Sequence, residues 1–306
     1  KACCASSSRQ TVRLRALMPA LLTLLAALWL AVPARAAAPA AYTVYAAGDI
    51  AYCSHPDPAY SGAAATAAIV EQGLARNPRA AVLALGDNVY ARGSAREFRH
   101  CYGPTWGRFR QRTHPAPGNR EYLTPGAAGY FSYFGSAAGP GHYSLDLGGW
   151  HLISLDSNLA PAAHAAQLAW LRDDLARHPS RCTLAYWHHP LYSSGGHGSD
   201  ARMRDVWDTL YRAGAELVLA GHDHDYERFA PQDANGRLDA ARGVRQFVVG
   251  TGGGIRMDFG PVPHPASQVR LSTYGVLKLK LWPDRYAWQF IDVAGRVLDS
   301  GQEPCH

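Results

Sequence analysis

The chain has 306 residues and a formal net charge of +6, from 30 basic and 24 acidic side chains. Five of the basic residues lie in the first 36 positions, which hold no acid, so residues 37–306 balance 25 bases against 24 acids. That near-neutral remainder offers no basic stripe to capture a phosphate backbone, which removes nucleic acid as an expected partner, and its length suits one substantial domain with a buried core.

Residues 1–36 read as an export signal. Arg9, Arg13 and Arg15 precede a mostly apolar run from Ala16 to Val32, and Ala34-Arg35-Ala36 has the small-x-small form of a signal-peptidase site. The run holds 17 residues with Pro19 inside it, short of the roughly 20 that a spanning helix needs. No stable membrane anchor is therefore expected, and the mature chain is expected in the periplasm or the medium. Four cysteines remain after processing: Cys53, Cys101, Cys182 and Cys305. Four thiols in an exported chain point to two disulfides, with three possible pairings. Cys53 with Cys101 and Cys182 with Cys305 is preferred, because the first two follow early strand ends and Cys305 is free to reach back from the terminus; buried free thiols are the alternative. Nothing in the sequence indicates an oligomeric state.

From Tyr42 the chain alternates short apolar strands with helical patterns, which predicts layered α/β construction. Strands over 42–47 and 81–85 flank a helix over 62–76, and each strand ends in Gly-Asp. Glycine at such a bend permits φ values other residues avoid, and the carboxylate beyond it stands at the sheet edge where α/β folds place ligands. Residues 91–141, rich in Gly, Pro, Arg and aromatic side chains, predict a long decorated loop with broken helical pattern near 96–101 and 106–112. A strand over 150–155, a helix over 162–177, a strand over 183–187, a helix over 203–213 and a strand over 217–220 follow. Strands over 246–249, 274–282, 285–293 and 296–298 predict an antiparallel finish. With no repeat and no low-complexity linker, residues 37–306 are expected to form a single domain.

Directly after the last buried run the sequence reads Gly221-His222-Asp223-His224-Asp225-Tyr226-Glu227-Arg228. Side chains two apart on an extended segment point the same way, and imidazole is a common ligand of transition ions. His222 and His224 are thus expected each to hold one of two adjacent cations, although a solvated turn would also carry such a pair. Recurrence favours metal. Asp49 in Gly48-Asp49, Asp87 and Tyr90 in Gly86-Asp87-Asn88-Val89-Tyr90, Asn119 in Gly118-Asn119-Arg120-Glu121, and His188 in Ala185-Tyr186-Trp187-His188 stand in comparable places. Singly, each has an ordinary structural role as a cap, a turn former, a packed ring or a core histidine. Jointly, coincidence would have to set seven suitable donors at successive strand ends.

In this order the motifs resemble the calcineurin-like metallophosphoesterase superfamily, whose run is GD, GDxx, GN(H/R)(E/D), xxxH and GHxH. Within it they resemble the purple acid phosphatases, which carry GDxxY. The likeness extends from Asp49 to about Tyr274. It implies an α/β fold, a four-layer α-β-β-α sandwich with mixed sheets. It also implies two metal ions: Asp49, Tyr90 and His224 on the first, Asn119, His188 and His222 on the second, and Asp87 bridging. Phenolate and carboxylate are hard donors, so the Tyr90 side is expected to favour Fe(III); an amide and two imidazoles suit a divalent Fe, Zn or Mn. The implied reaction is release of phosphate from a small-molecule phosphomonoester, with metal-held hydroxide as nucleophile. Phosphodiester hydrolysis is the alternative on the same site, and a secreted protein that binds metal or phosphate without turnover is the alternative of another class.

His197 lies nine residues after His188, in Ser193-Ser194-Gly195-Gly196-His197-Gly198. Purple acid phosphatases are similar in carrying there a loop histidine that contacts phosphate or protonates the leaving group; a mobile surface histidine is the plainer role. Arg120 departs from the GNH(E/D) of many relatives. Arginine cannot donate a proton at working pH, so Arg120 is expected to clamp a phosphate oxygen while proton transfer passes to His197 or water. Thr251-Gly252-Gly253-Gly254 resembles the GTGG segment of the same enzymes and reads as a tight turn, since no helix pattern follows to make a nucleotide loop. Leu155-Asp156-Ser157-Asn158 resembles their LD(T/S)N segment, with Asp156 ordering loops beneath the site. Tyr226 and Arg228 are expected to brace the histidine loop, Glu227 to pair with Arg228 or a backbone donor, and His189 to face away from the site if its strand persists.

Overall fold

Five consecutive buried aliphatic residues, as at Ala81–Leu85, leave no face for water, so such strands must be covered on both sides. The computed structural model describes residues 40–54 and 56–306; the expected export signal lies outside them. In chain order the first half carries β1 (Tyr42–Ala47), β2 (Ala51–Tyr52), α1 (Gly62–Arg76), β3 (Ala81–Leu85), β4 (Val89–Tyr90), a short α2 (Ala95–Glu97), β5 (Thr113–Ala116), α3 (Ala128–Phe134), β6 (Tyr143–Leu147) and β7 (Trp150–Ser154). The second half carries α4 (Pro161–Arg177), β8 (Thr183–Tyr186), α5 (Arg204–Arg212), β9 (Leu217–Ala220), β10 (Tyr226–Phe229), β11 (Arg245–Val249), β12 (Ser267–Leu271), β13 (Gly275–Trp282), β14 (Arg285–Asp292) and β15 (Val297–Pro304).

Two mixed sheets result, one of six strands in the order β15-β14-β13-β1-β3-β5 and one of seven in the order β12-β10-β11-β9-β8-β7-β6. The period of two along each strand sorts residues between layers. Leu184 and Tyr186 of β8, with Leu217 and Leu219 of β9, join Leu83, Leu277 and Leu279 of the other sheet in one core. Ala185 and Val218 turn the other way and pack with Leu168 and Leu171 of α4 and Val206, Trp207 and Leu210 of α5. On the far side α1 lies against the six-stranded sheet, close enough that a Cβ at Gly73 would overlap the Tyr45 ring. The layers are therefore helices, sheet, sheet, helix. Among the described residues no helix is long and apolar enough to cross a membrane.

The expected strands and helices recur with ends shifted by a few residues at most, except at the C-terminus, where β15 runs to Pro304. The stretch expected as loop holds two further elements, β5 and α3. Thr113-His114-Pro115-Ala116 is short and contains a proline, which a sheet accepts only at its edge, and β5 is the edge strand beside β3. In α3, Tyr133 and Phe134 pack with Phe98 and Tyr102, and Tyr130 packs on Phe134. That aromatic cluster joins two separate short segments, and the sequence of either does not show that it packs against the other. Both preferred disulfides are present: Cys53–Cys101 and Cys182–Cys305, with Cα atoms 5.5 and 5.7 Å apart.

Candidate metal centre

Six of the seven expected donors lie in the turns that follow the carboxyl ends of β1, β3, β5, β8 and β9, and Tyr90 ends the two-residue strand β4 just after β3, where both sheets open onto one edge. Asp49, Asp87 and His222 have φ of 57°, 45° and 73°, a left-handed region that side chains other than glycine seldom adopt. Only Ala127 joins them among the described non-glycine residues, so backbone strain is concentrated at these bends. Glycine gives the room they need. Gly86 has φ of 84°, and a Cβ there would sit 2.7 Å from His188 Nδ1. A Cβ at Gly118 would overlap the backbone of Asp87.

The side chains gather in two groups. In the first, Tyr90 Oη donates to Asp49 Oδ1 at 2.7 Å and lies 3.0 Å from His224 Nε2, while Asp49 Oδ1 is 3.3 Å from that nitrogen. In the second, His188 Nε2 lies 3.0 Å from Asn119 Oδ1 and 3.2 Å from His222 Nδ1. Asp87 Oδ1 is 3.4 Å from His188 Nε2, and donor atoms of Asp49, Asp87 and His188 all lie within 4.8 Å of one another. Asp87 therefore stands between the groups. All seven expected donors come together, six in the two groups and Asp87 between them.

The two imidazoles with the clearest tautomers test whether this donor set suits cations. His188 Nδ1 faces the Leu85 carbonyl at 3.0 Å, and His224 Nδ1 faces the Ile255 carbonyl. A carbonyl oxygen only accepts, so in a neutral ring each Nδ1 carries the proton and each Nε2 lone pair is aimed at oxygens. Lone pairs brought this close repel unless a proton or metal ion lies between them. Backbone carbonyls behind ligating histidines are the usual arrangement around a metal. In the metal-free chain burial works against a charged ring at both places, yet Asp87 beside His188 and Asp49 beside His224 raise both to about 9. Asp49 is held near 2 because His224 and His188 outweigh its own burial. His222 is pushed down to about 4 by burial and by the neighbouring His188. The residues fit a cationic pair.

Arg120 stands at the mouth. Its backbone N–H donates to Asp87 Oδ1 at 2.8 Å, its Nε lies 3.7 Å from Asp87 Oδ2 without a hydrogen-bond partner, and its guanidinium carbon is 5.5 Å from the Tyr90 ring centre. The His197 ring lies 4.4 Å from that of His222 and 6.1 Å from that of His224. His189 corrects an expectation. Its strand ends at Tyr186, the chain bends, and its ring packs 4.9 Å from His188 and 4.4 Å from His222, with Nδ1 2.8 Å from Ser157 Oγ. Burial and the surrounding cations push its pKa far down, which keeps it neutral.

Supporting residues were only partly foreseen. Glu121 is fully buried and accepts from the backbone N–H groups of Asn88 at 2.9 Å and Gly118 at 2.7 Å, joining the Asp87 turn to the Asn119 turn. Burial and Asp87 raise it to about 8. Its place in the GNRE motif was the available signal. Asp156 accepts from Tyr122 and from the Asn158 N–H, in keeping with a loop-ordering role. In the glycine run, Gly254 N–H donates to the Asp49 carbonyl at 2.7 Å, a structural turn as expected. Tyr226 and Arg228 reach Asp299 of β15, away from the histidine loop, and Glu227 accepts from Ser194 N–H at 2.7 Å.

Comparison with known proteins bears on the same residues. The chain is 33% identical over 149 residues to purple acid phosphatase 21 of Arabidopsis thaliana, covering 46% of this chain and 34% of that one. It is 28% identical over 201 residues to acid phosphatase type 7 of Homo sapiens, covering 54% and 46%. The matched stretches thus span less than half the length of either relative. Among solved structures, purple acid phosphatase PPD1 from yellow lupin (Lupinus luteus) superposes with a TM-score of 0.69 at 19% identity, over 86% of this chain and 53% of that one. GAP50, described as the anchor in the inner membrane complex of Plasmodium, gives 0.68 at 15% identity, over 87% and 90%. These two likenesses show the fold alone. Residues 42–226, a span containing all seven donors, match the calcineurin-like phosphoesterase family, and the chain belongs to that family.

Proposed function

We propose that this chain is an exported dinuclear metallohydrolase that releases phosphate from small-molecule phosphomonoesters, similar to the purple acid phosphatases. The observation that carries this reading is the gathering of seven donor side chains into two adjacent groups with Asp87 between them. Asp49, Tyr90 and His224 would hold one ion and Asn119, His188 and His222 the other, with Asp87 shared. The donor chemistry suits Fe(III) on the Tyr90 side and a divalent Fe, Zn or Mn on the amide side. Bound there, two such ions lower the pKa of a coordinated water toward neutrality and withdraw charge from phosphoryl oxygens.

The chain's own residues do the rest. Arg120 holds a phosphoryl oxygen through its guanidinium N–H groups. His197, on a loop beside both groups, meets the departing oxygen. Glu121 keeps the two turns in register so that Asp87 and Asn119 face the same space. Export is supported by the two disulfides, which persist in oxidising compartments. Fold alone would not decide catalysis; the complete donor set favours an enzyme over a binder.

The test is elemental analysis of the purified protein with its visible spectrum, followed by turnover of 4-nitrophenyl phosphate and bis(4-nitrophenyl) phosphate. The expected result is two metals per chain, a violet colour lost in Tyr90→Phe, and faster release from the monoester. Preference for the diester would reassign the substrate class. Two bound metals with no turnover of either ester would make the protein a binder, and absence of tight metal would end the reading.

A further inference from the structure

We infer that Asp223, between the two histidines of the GHDH segment, is the positioning residue for His197; the inference rests on the hydrolase reading above. Asp223 is completely buried. Its Oδ1 accepts from the His197 backbone N–H at 2.7 Å and lies 3.1 Å from His197 Nδ1. Its Oδ2 accepts from the Ser193 hydroxyl, which in turn accepts from Gly195 N–H at 2.9 Å. A Cβ at Gly195 would overlap the Asp223 carboxyl carbon. The glycine-rich loop is therefore wrapped around one carboxylate, and that carboxylate belongs to the segment that supplies a donor to each metal group.

This arrangement decides the tautomer of His197. An ionised carboxylate only accepts, so Nδ1 carries a proton and Nε2 is the nitrogen open to a substrate. The ring is held beside both His222 and His224, and its side chain is 37% exposed, where an ester can reach it. His189, the other ring against His222, is 3% exposed and backed by a hydroxyl. Arg120 holds charge but gives up no proton. In the step assigned to His197, the water oxygen forms its bond to phosphorus as the ester P–O bond breaks. The electron pair leaves with the ester oxygen, which takes the Nε2 proton of the His197 imidazolium and leaves the neutral ring protonated at Nδ1; the attacking water releases a proton to solvent, and solvent restores the one on Nε2. A carboxylate that fixes the base ring for its partner is a recurrent device in acid–base catalysis.

Wild type, His197→Ala, Asp223→Ala, the double variant and Gly195→Ala are compared on an alkyl phosphate, which needs a proton donor, and on 4-nitrophenyl phosphate, which needs one much less. Metal content is measured for each. Asp223→Ala is expected to lose kcat on the order of 10²-fold on the alkyl ester, within the usual range for a general acid, and to lose markedly less on the aryl ester. The double variant should be no slower than His197→Ala. Gly195→Ala, which displaces the Asp223 carboxylate from the side of the loop and leaves the His222-Asp223-His224 sequence intact, should reproduce the selective loss at wild-type metal content. In zinc-loaded protein, long-range proton–nitrogen NMR should show His197 protonated at Nδ1 in wild type and not fixed there in Gly195→Ala. Equal losses on both esters, additive losses in the double variant, or a wild-type ring protonated only at Nε2 would each overturn the inference. Failure of metal-loaded wild type to cleave any ester would instead overturn the hydrolase reading, with the NMR result still deciding whether Asp223 orients the ring.

Discussion

Arg120 combines a structural contact with the role in phosphate binding proposed for its side chain. Its backbone N–H remains on Asp87, so the turn is kept, while the side chain can contribute charge and hydrogen bonds but no proton. Hydrogen bonds to charged groups contribute about 1.5–3 kcal/mol, which corresponds to roughly 10-fold or more in affinity. Arg120→Ala is therefore expected to raise KM for a phosphomonoester about 10-fold with a smaller change in kcat; steady-state kinetics with both parameters unchanged would remove Arg120 from the phosphate site. Residues of this kind were legible because their side-chain chemistry is distinctive and each follows a strand. His189 and Asp223 were not, because the rule that alternate side chains share a face holds only while the strand continues. The strand before His189 stops at Tyr186, and Asp223 lies past β9 and next to His222, whose φ is 73°, so its direction is set by the turn.

At the level of elements, four of the parallel strands that deliver donors, β1, β3, β8 and β9, were visible as buried apolar runs, whereas β5, which leads to Asn119, and the strands that carry the ties between the two sheets were not. β10 and β12 are short and mixed in polarity, and their pairing depends on partners far along the chain. Asp299 illustrates what such strands contribute. From β15 its Oδ2 accepts from Tyr226 Oη at 2.6 Å and Arg228 Nε at 2.8 Å on β10, and from Trp288 Nε1 at 3.0 Å on β14, so one carboxylate ties one sheet to the other. Burial opposes its charge, yet the hydrogen bonds from Arg228 and Tyr226 hold its pKa below the ordinary carboxylate value. A pKa lowered by folding contributes stability above the unfolded value, near ~3.9 for Asp, and that contribution is lost as pH falls through the folded value. Asp299→Ala is expected to cost about 3 kcal/mol, since it strands Arg228 with little solvent, and Asp299→Asn should weaken the loss of stability below about pH 4. Urea titrations across that pH range check both; a variant as stable and as pH-dependent as wild type would mean that the two sheets hold together without this strut.

Across the whole molecule, the disulfides divide the structure by depth from the candidate metal centre, and that division can be measured. Cys182 precedes β8, at the end opposite His188, and Cys305 follows β15, so this bridge fastens the C-terminus to the far edge of the seven-stranded sheet. It closes 123 residues, and bridges over loops on that order stabilise by roughly 2–5 kcal/mol, chiefly through the unfolded chain. Cys53–Cys101 instead follows β2, where the Tyr52 ring lies 5.7 Å from Tyr90. Cys182→Ala with Cys305→Ala should therefore lower the free energy of unfolding by about 2–5 kcal/mol while metal content and absorption spectrum stay as in wild type. Cys53→Ala with Cys101→Ala should shift the spectrum or loosen the metal bound on the Tyr90 side. Chemical denaturation, metal analysis and visible spectra of the two paired variants decide the matter. If the distal pair disturbed the metal and the proximal pair did not, the edge of the sheets proposed here as the metal centre would be the wrong one.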